Sequence, residues 1–165
     1  MTVEDQSAIK KPMKIDHLAI AVDDLDRAIQ LYSEGLGLTL VERRHTQGHD
    51  TSMISAVLEG AGIPIVLVQG CDPDSQVSRF VAEKGAGVQH VAFQVDAIDE
   101  GVARLARVGV SCAIPVIEGD GIRQVFMAAD NRAGMRIELI ERNGGTFSES
   151  SVRQLYLAFE ERDLI

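Results

Sequence analysis

Basic residues are scarce in this chain: Lys and Arg together number 16 against 25 Asp and Glu, a formal net charge of −9 over 165 residues. Nucleic acid and anionic membranes both demand a basic surface, so neither is expected as a partner. Local basic spots such as Arg43–Arg44 could still grip a carboxylate or phosphate on a small ligand. Cysteine is limited to Cys71 and Cys112, with no C-x-x-C spacing. A reduced cytoplasmic protein is the economical reading, with one disulfide left open. No apolar run is long enough to cross a bilayer, and the polar start MTVEDQSAIKKP does not read as a secretory signal. What remains is 45% apolar residues in a length suited to one domain with a buried core.

Residues 1–13 read as a flexible tail ending at Pro12. After it, IDHLAIAV (15–22) alternates as a strand, and DDLDRAIQLYSEGLG (23–37) has helical spacing that puts Leu25, Ile29 and Tyr32 on one face. Gly35 and Gly37 close that helix. Three strands are expected next, at 38–44, 52–60 and 63–70, with HTQGHD (45–50) as a polar loop that leaves His45 and His49 in solvent.

The pattern then recurs. VQHVAFQV (88–95) is a strand, DAIDEGVARLARVG (96–109) a helix, and VSCAIPV, IRQVFMAAD and MRIELIER are three more strands. A shift of 73 residues lays IDHLAIAVDDLD on VQHVAFQVDAID and aligns His17 with His90. A shift of 72 lays IVLVQ (65–69) over IELIE (137–141). The chain therefore reads as a duplicated βαβββ unit, with modules at about 14–70 and 87–142 in one domain spanning 14–165. A short helix from about Ser75 to Lys84 joins the halves. A terminal helix at about 147–162 follows, with Thr146 and Glu149 as a candidate capping box and Val152, Leu155, Tyr156 and Phe159 as its apolar stripe.

Duplication gives the two strand histidines equivalent places, so both can face one concave surface. Glu138 lies between apolar Ile137 and Leu139, which point the other way, so it is a carboxylate on a strand that otherwise looks buried. A lone strand histidine is more often structural than a ligand, and a buried carboxylate without a partner is costly. Three such residues related by one internal symmetry favour metal binding instead. Two imidazoles and one carboxylate are the donors of a facial triad with open positions. Val66, the repeat mate of Glu138, cannot bind a metal.

The doubled pattern resembles the vicinal oxygen chelate superfamily, which includes glyoxalase I, methylmalonyl-CoA epimerase, extradiol dioxygenases and 4-hydroxyphenylpyruvate dioxygenase. That implies an α+β fold, two βαβββ modules forming a half-open, barrel-like cup around a metal. IDHLAIAVDDLDRAIQLYSEGLGL is generic, with an epimerase flavour. SQVSRFVAEKGAGVQHVAFQVDAI, IRQVF, RIELIER and RQLYLAFEERD resemble the C-terminal catalytic half of 4-hydroxyphenylpyruvate dioxygenase and of hydroxymandelate synthase. The resemblance implies metal ligands at His17, His90 and Glu138 and active-site glutamines at Gln76, Gln89 and Gln124. It places substrate contacts at Ser55 and Gln69, the latter where the family has Asn, and an aromatic clamp at Phe126 and Phe147. The implied cofactor is Fe(II), with Co, Mn or Zn as other divalent candidates, and O2 is the co-substrate. The implied reaction is oxidative decarboxylation and hydroxylation of a 2-oxo acid.

The family's additional N-terminal half is expected to be missing, leaving a surface either solvated or buried in a homodimer. The main alternative is a metal-dependent epimerase of the methylmalonyl-CoA epimerase type, which would use a fourth ligand where this chain has Val66 and a His-His pair where it has Gln89–His90. A ligand-sequestering protein of the bleomycin-resistance type would keep the fold without the three ligands.

Overall fold

A computed structural model describes residues 13–164. Eight strands are β1 (Lys14–Ala21), β2 (Thr39–Gln47), β3 (Ser52–Glu59), β4 (Ile65–Gly70), β5 (Gly87–Gln94), β6 (Ile117–Gly119), β7 (Ile122–Phe126) and β8 (Arg136–Arg142). Four helices accompany them: α1 (Leu25–Gln30, continued by a π-helical turn over Leu31–Gly35), α2 (Gln76–Lys84), α3 (Ile98–Arg107) and α4 (Glu149–Glu161).

The strands form a single sheet in the order β2-β3-β4-β1-β5-β8-β7-β6. Each half repeats the same arrangement: β1 pairs in parallel with β4 and β5 with β8, while β1 and β5 join the halves antiparallel. This curled half-barrel is the α+β cup implied by the resemblance.

Alternation sorts each strand into two faces. On the convex face of the first half, Leu58, Ile65 and Leu67 pack with Leu25, Ile29 and Tyr32 of the α1 region, the helical stripe read from the sequence. Leu139 and Val125 similarly receive Ile98 of α3. On the concave face, α2 lays Val77 and Phe80 against Ala21, Val66 and Val68. The Ser75 side chain caps α2 by accepting from the Ser78 amide.

Helix α4 roofs the other part of the cup and is tied at both ends. At its start, Ser148 contacts Asp120 of the β6–β7 turn, and Arg44 donates to the Ser148 carbonyl at 3.2 Å. At its end, Glu160 accepts from the His49 and Thr51 amides at 2.6 and 2.9 Å, beside the Thr51–Tyr156 hydroxyl pair at 2.7 Å.

Three local expectations change. The cap of α4 is Ser148 with Ser151 rather than Thr146 with Glu149, because the Ser148 hydroxyl reaches the Ser151 amide and Ser151 reaches back. VSCAIPV is not a strand: it makes only a bridge between Cys112 and Met127, and the ladder against β7 resumes at Ile117. Pro115, lacking an N–H, cannot extend that ladder. HTQGHD is shorter as a loop, since β2 continues through Gln47, although His45 and His49 are both exposed.

Gly145 sets a packing limit beneath the start of α4. A Cβ there would lie 1.9 Å from the Asp120 carbonyl oxygen and 2.7 Å from Gly121 Cα. Both are backbone atoms, so the turn itself must move. Gly145→Ala is expected to cost about 1–3 kcal/mol in urea unfolding. An unchanged midpoint would show that the turn yields freely.

Candidate metal centre

The register places one row of side chains across the cup: His17 opposite Ala92, Ala92 opposite Glu138, and Glu138 opposite Phe126. His90 is one step along the same face, opposite Ala19 and Arg136. The small Ala92, fully buried, leaves space between the flanking His17 and Glu138. The sequence repeat and the antiparallel β1–β5 junction thus bring residues 73 apart into contact.

His17 Nε2 lies 3.3 Å and His90 Nε2 3.4 Å from Glu138 Oε2, and the two Nε2 atoms are 3.4 Å apart. Donor atoms held about 2.1 Å from one ion lie roughly 3.0 to 3.4 Å apart in octahedral and tetrahedral arrangements. Glu138 is 1% exposed, and neither of its carboxylate oxygens has a hydrogen-bond partner among the described residues. Leaving a carboxylate so placed is costly unless a cation meets it. The donor set and spacing fit a divalent metal.

Each imidazole is fixed through its other nitrogen. His17 Nδ1 is 2.8 Å from Asp16 Oδ1, and Arg142 holds Asp16 with Nε at 2.6 Å and Nη2 at 2.8 Å. His90 Nδ1 is 3.1 Å from Gln89 Oε1. Carboxylate and amide oxygens only accept, so Nδ1 carries hydrogen and Nε2 points its lone pair into the triangle. Burial pulls the His17 pKa down, but the carboxylates of Asp16 and Glu138 outweigh it and raise the value to about 9. Burial would raise Asp16, yet Arg142 and His17 hold it well below the usual carboxylate range. For His90, burial, then the charges of His17 and Arg136, all lower the pKa. A divalent cation would take the place of the proton that His17 otherwise retains.

Aromatic rings wall the donors. Phe147 stands edge-on to His17 at 5.3 Å, Phe126 to His90 at 4.8 Å, and Phe159 of α4 to Phe126 at 4.8 Å. Gln124, 1% exposed on the same face as Phe126, donates to the Ser151 carbonyl at 3.4 Å, while its Oε1 has no hydrogen-bond partner among the described residues. Ser55 is buried on the concave face, opposite Val68. Gln76 is buried in the first turn of α2.

Gln69 does not join this group. It lies on the convex face with Leu67, and its Oε1 accepts from the Leu25 amide at 2.7 Å, serving the start of α1. Strand alternation decides this, since Val66 and Val68 take the concave positions. Val66 itself is packed into the α2 cluster, so a fourth ligand has no place there.

Three contributors were missed from sequence: Asp16, Arg142 and Phe159. Asp16 had a local signal, a carboxylate directly before a strand histidine, whereas Arg142 is 126 residues away.

A family model described as the Glyoxalase/Bleomycin resistance protein/Dioxygenase superfamily matches residues 16–126, and the chain belongs to that superfamily. His17 and His90 fall within the match, and Glu138 lies beyond it. An uncharacterized Bacillus subtilis protein, YqjC, is 25% identical over 82% of this chain and 97% of its own length. The crystal structure of methylmalonyl-CoA epimerase from Mycobacterium tuberculosis is 32% identical, covering 78% of this chain and 87% of that one, with a TM-score of 0.65. A substituted 4-hydroxymandelate synthase from Streptomyces coelicolor gives a TM-score of 0.80 over 96% of this chain and 57% of that one. At 21% identity, that likeness shows the fold alone. Among the described residues no helix is long and apolar enough to cross a membrane.

Proposed function

We propose that this protein is a metal-dependent dioxygenase acting on a 2-oxo acid, with His17, His90 and Glu138 holding Fe(II). The observation that carries the proposal is the buried Glu138 carboxylate, without a hydrogen bond among the described residues and facing two Nε2 atoms, where the repeat-related position is the packed Val66. Three protein ligands on one face would leave a bound metal accessible to the substrate. When bound, the metal would supply a Lewis-acidic anchor for the carboxylate and keto oxygens and the redox chemistry of decarboxylation and hydroxylation.

The chain's own residues position and enclose. Asp16 and Gln89 hold the imidazoles through Nδ1, and Arg142 holds Asp16. Gln124 turns its Oε1 to the substrate as an acceptor that does not compete for the metal, and Ser55 and Gln76 extend the polar lining. Phe126 and Phe147 pack on the substrate body, while α4 excludes water.

A second reading, a metal-dependent epimerase, is favoured by the 32% identity to the mycobacterial epimerase. One experiment separates them. Fe(II)-loaded protein titrated anaerobically with 2-oxo acids is expected to develop a weak visible charge-transfer band, which bleaches with oxygen uptake. If metal is bound and no acid gives a band, the dioxygenase reading fails. Oxygen-independent entry of solvent deuterium into an acyl-CoA would then establish the epimerase.

A further inference from the structure

Strand β8 presents three side chains to the cup: Arg136, Glu138 and Ile140. Glu138 is a donor of the metal centre and Ile140 is fully buried. Arg136 has no part in the chemistry described so far, yet it sits in the row of His90 and Ala19. Its guanidinium carbon lies 5.5 Å from the Phe159 ring centroid, and Nη1 donates to the Met127 carbonyl at 3.3 Å. The succession His90, Phe126, Phe159, Arg136 therefore leads from the donor atoms along an aromatic wall to a positive charge.

We infer that Arg136 is a specificity-determining residue, and that the substrate is a 2-oxo acid carrying a second anionic group, a carboxylate, at the end remote from the metal. This rests on the 2-oxo acid reading above. The chelating end of such a substrate belongs at His17, His90 and Glu138, so the guanidinium addresses the part beyond it. A planar guanidinium suits a carboxylate because two parallel N–H donors match its two oxygens. Its place over the Phe159 ring joins the specificity element to the helix that closes the cup.

The test uses the full-length protein loaded with Fe(II) under anaerobic conditions, with binding read from the visible band. Oxaloacetate and 2-oxoglutarate, with two carboxylates, are compared with 2-oxobutyrate and 2-oxovalerate, with one. The wild type is expected to bind the diacids roughly tenfold or more tightly, the scale of hydrogen bonds to a charged group. Arg136→Gln should remove that preference at unchanged metal content, and Arg136→Lys should retain part of it. A structural role alone would change both classes of acid together. Equal binding of both classes by the wild type overturns the inference, as does a preference that survives in a metal-replete Arg136→Gln variant. A metal-loaded protein whose spectrum no acid changes overturns the 2-oxo acid reading first, and this inference with it.

Discussion

Metal loading is lost in His90→Ala. The three donor atoms form a nearly equilateral triangle of 3.3–3.4 Å edges, and removing one leaves an imidazole and a carboxylate to hold the ion alone. Among the described residues no other His, Cys, Asp or Glu joins the group: the repeat-related Val66 is packed under α2, and the neighbouring Phe126 and Phe147 offer no donor. The loss should exceed the roughly 10–100-fold in affinity that removal of a supporting partner costs. Metal content after dialysis, measured with the protein's unfolding midpoint, is the readout. A folded His90→Ala protein with a full complement of metal would remove His90 from the ligand set.

Asp16→Asn has the second largest expected effect, and acts through His17. Asparagine keeps the size of the side chain but replaces one carboxylate oxygen by an amide that can only donate. The bidentate pair with Arg142 is then broken at one of its two bonds, and the neutral side chain no longer balances the guanidinium. If the amide turns its NH2 toward His17, Nδ1 becomes an acceptor and the tautomer reverses, putting hydrogen on the nitrogen that should bind metal. Metal affinity should fall roughly 10–100-fold. Folding stability should fall by about 1–3 kcal/mol, since the Asp16 side chain is only 7% exposed and its partner is left without that counter-charge. Titration calorimetry with the metal and urea unfolding of the metal-free protein measure the two losses separately. Equal affinity in wild type and variant would mean that His17 is oriented by packing against Phe147 instead.

These two variants also separate what was legible in the sequence from what was not. His17, His90 and Glu138 lie on strands that recur at shifts of 73 and 72 residues, and apolar alternation assigns each a face. Asp16 is one residue from His17 and falls on the opposite parity, which by alternation alone sends it away from the site. Its role depends on Arg142, which only the β1–β5–β8 pairing brings beside it. Gln89 was expected among the active-site glutamines, and its geometry makes it the partner of His90 Nδ1. Gln69 shows the converse. Its place near the end of β4 resembled that of a substrate contact, but its parity turns it outward to the amide of Leu25.

The sequence by itself determined the duplicated βαβββ plan and the strands that bring His17, His90 and Glu138 to one face. It could do so because period-two alternation and internal repetition are local properties, readable wherever one face of a strand is buried. Tertiary structure alone decided that α2 covers Val66, that Ser148 rather than Thr146 caps the terminal helix, and that VSCAIPV yields its ladder to Ile117–Gly119. It alone brought Phe159 and Arg136 into one wall of the cup. Those outcomes depend on side chains far apart in the chain competing for the same space and the same hydrogen bonds, and no local period records which of them wins.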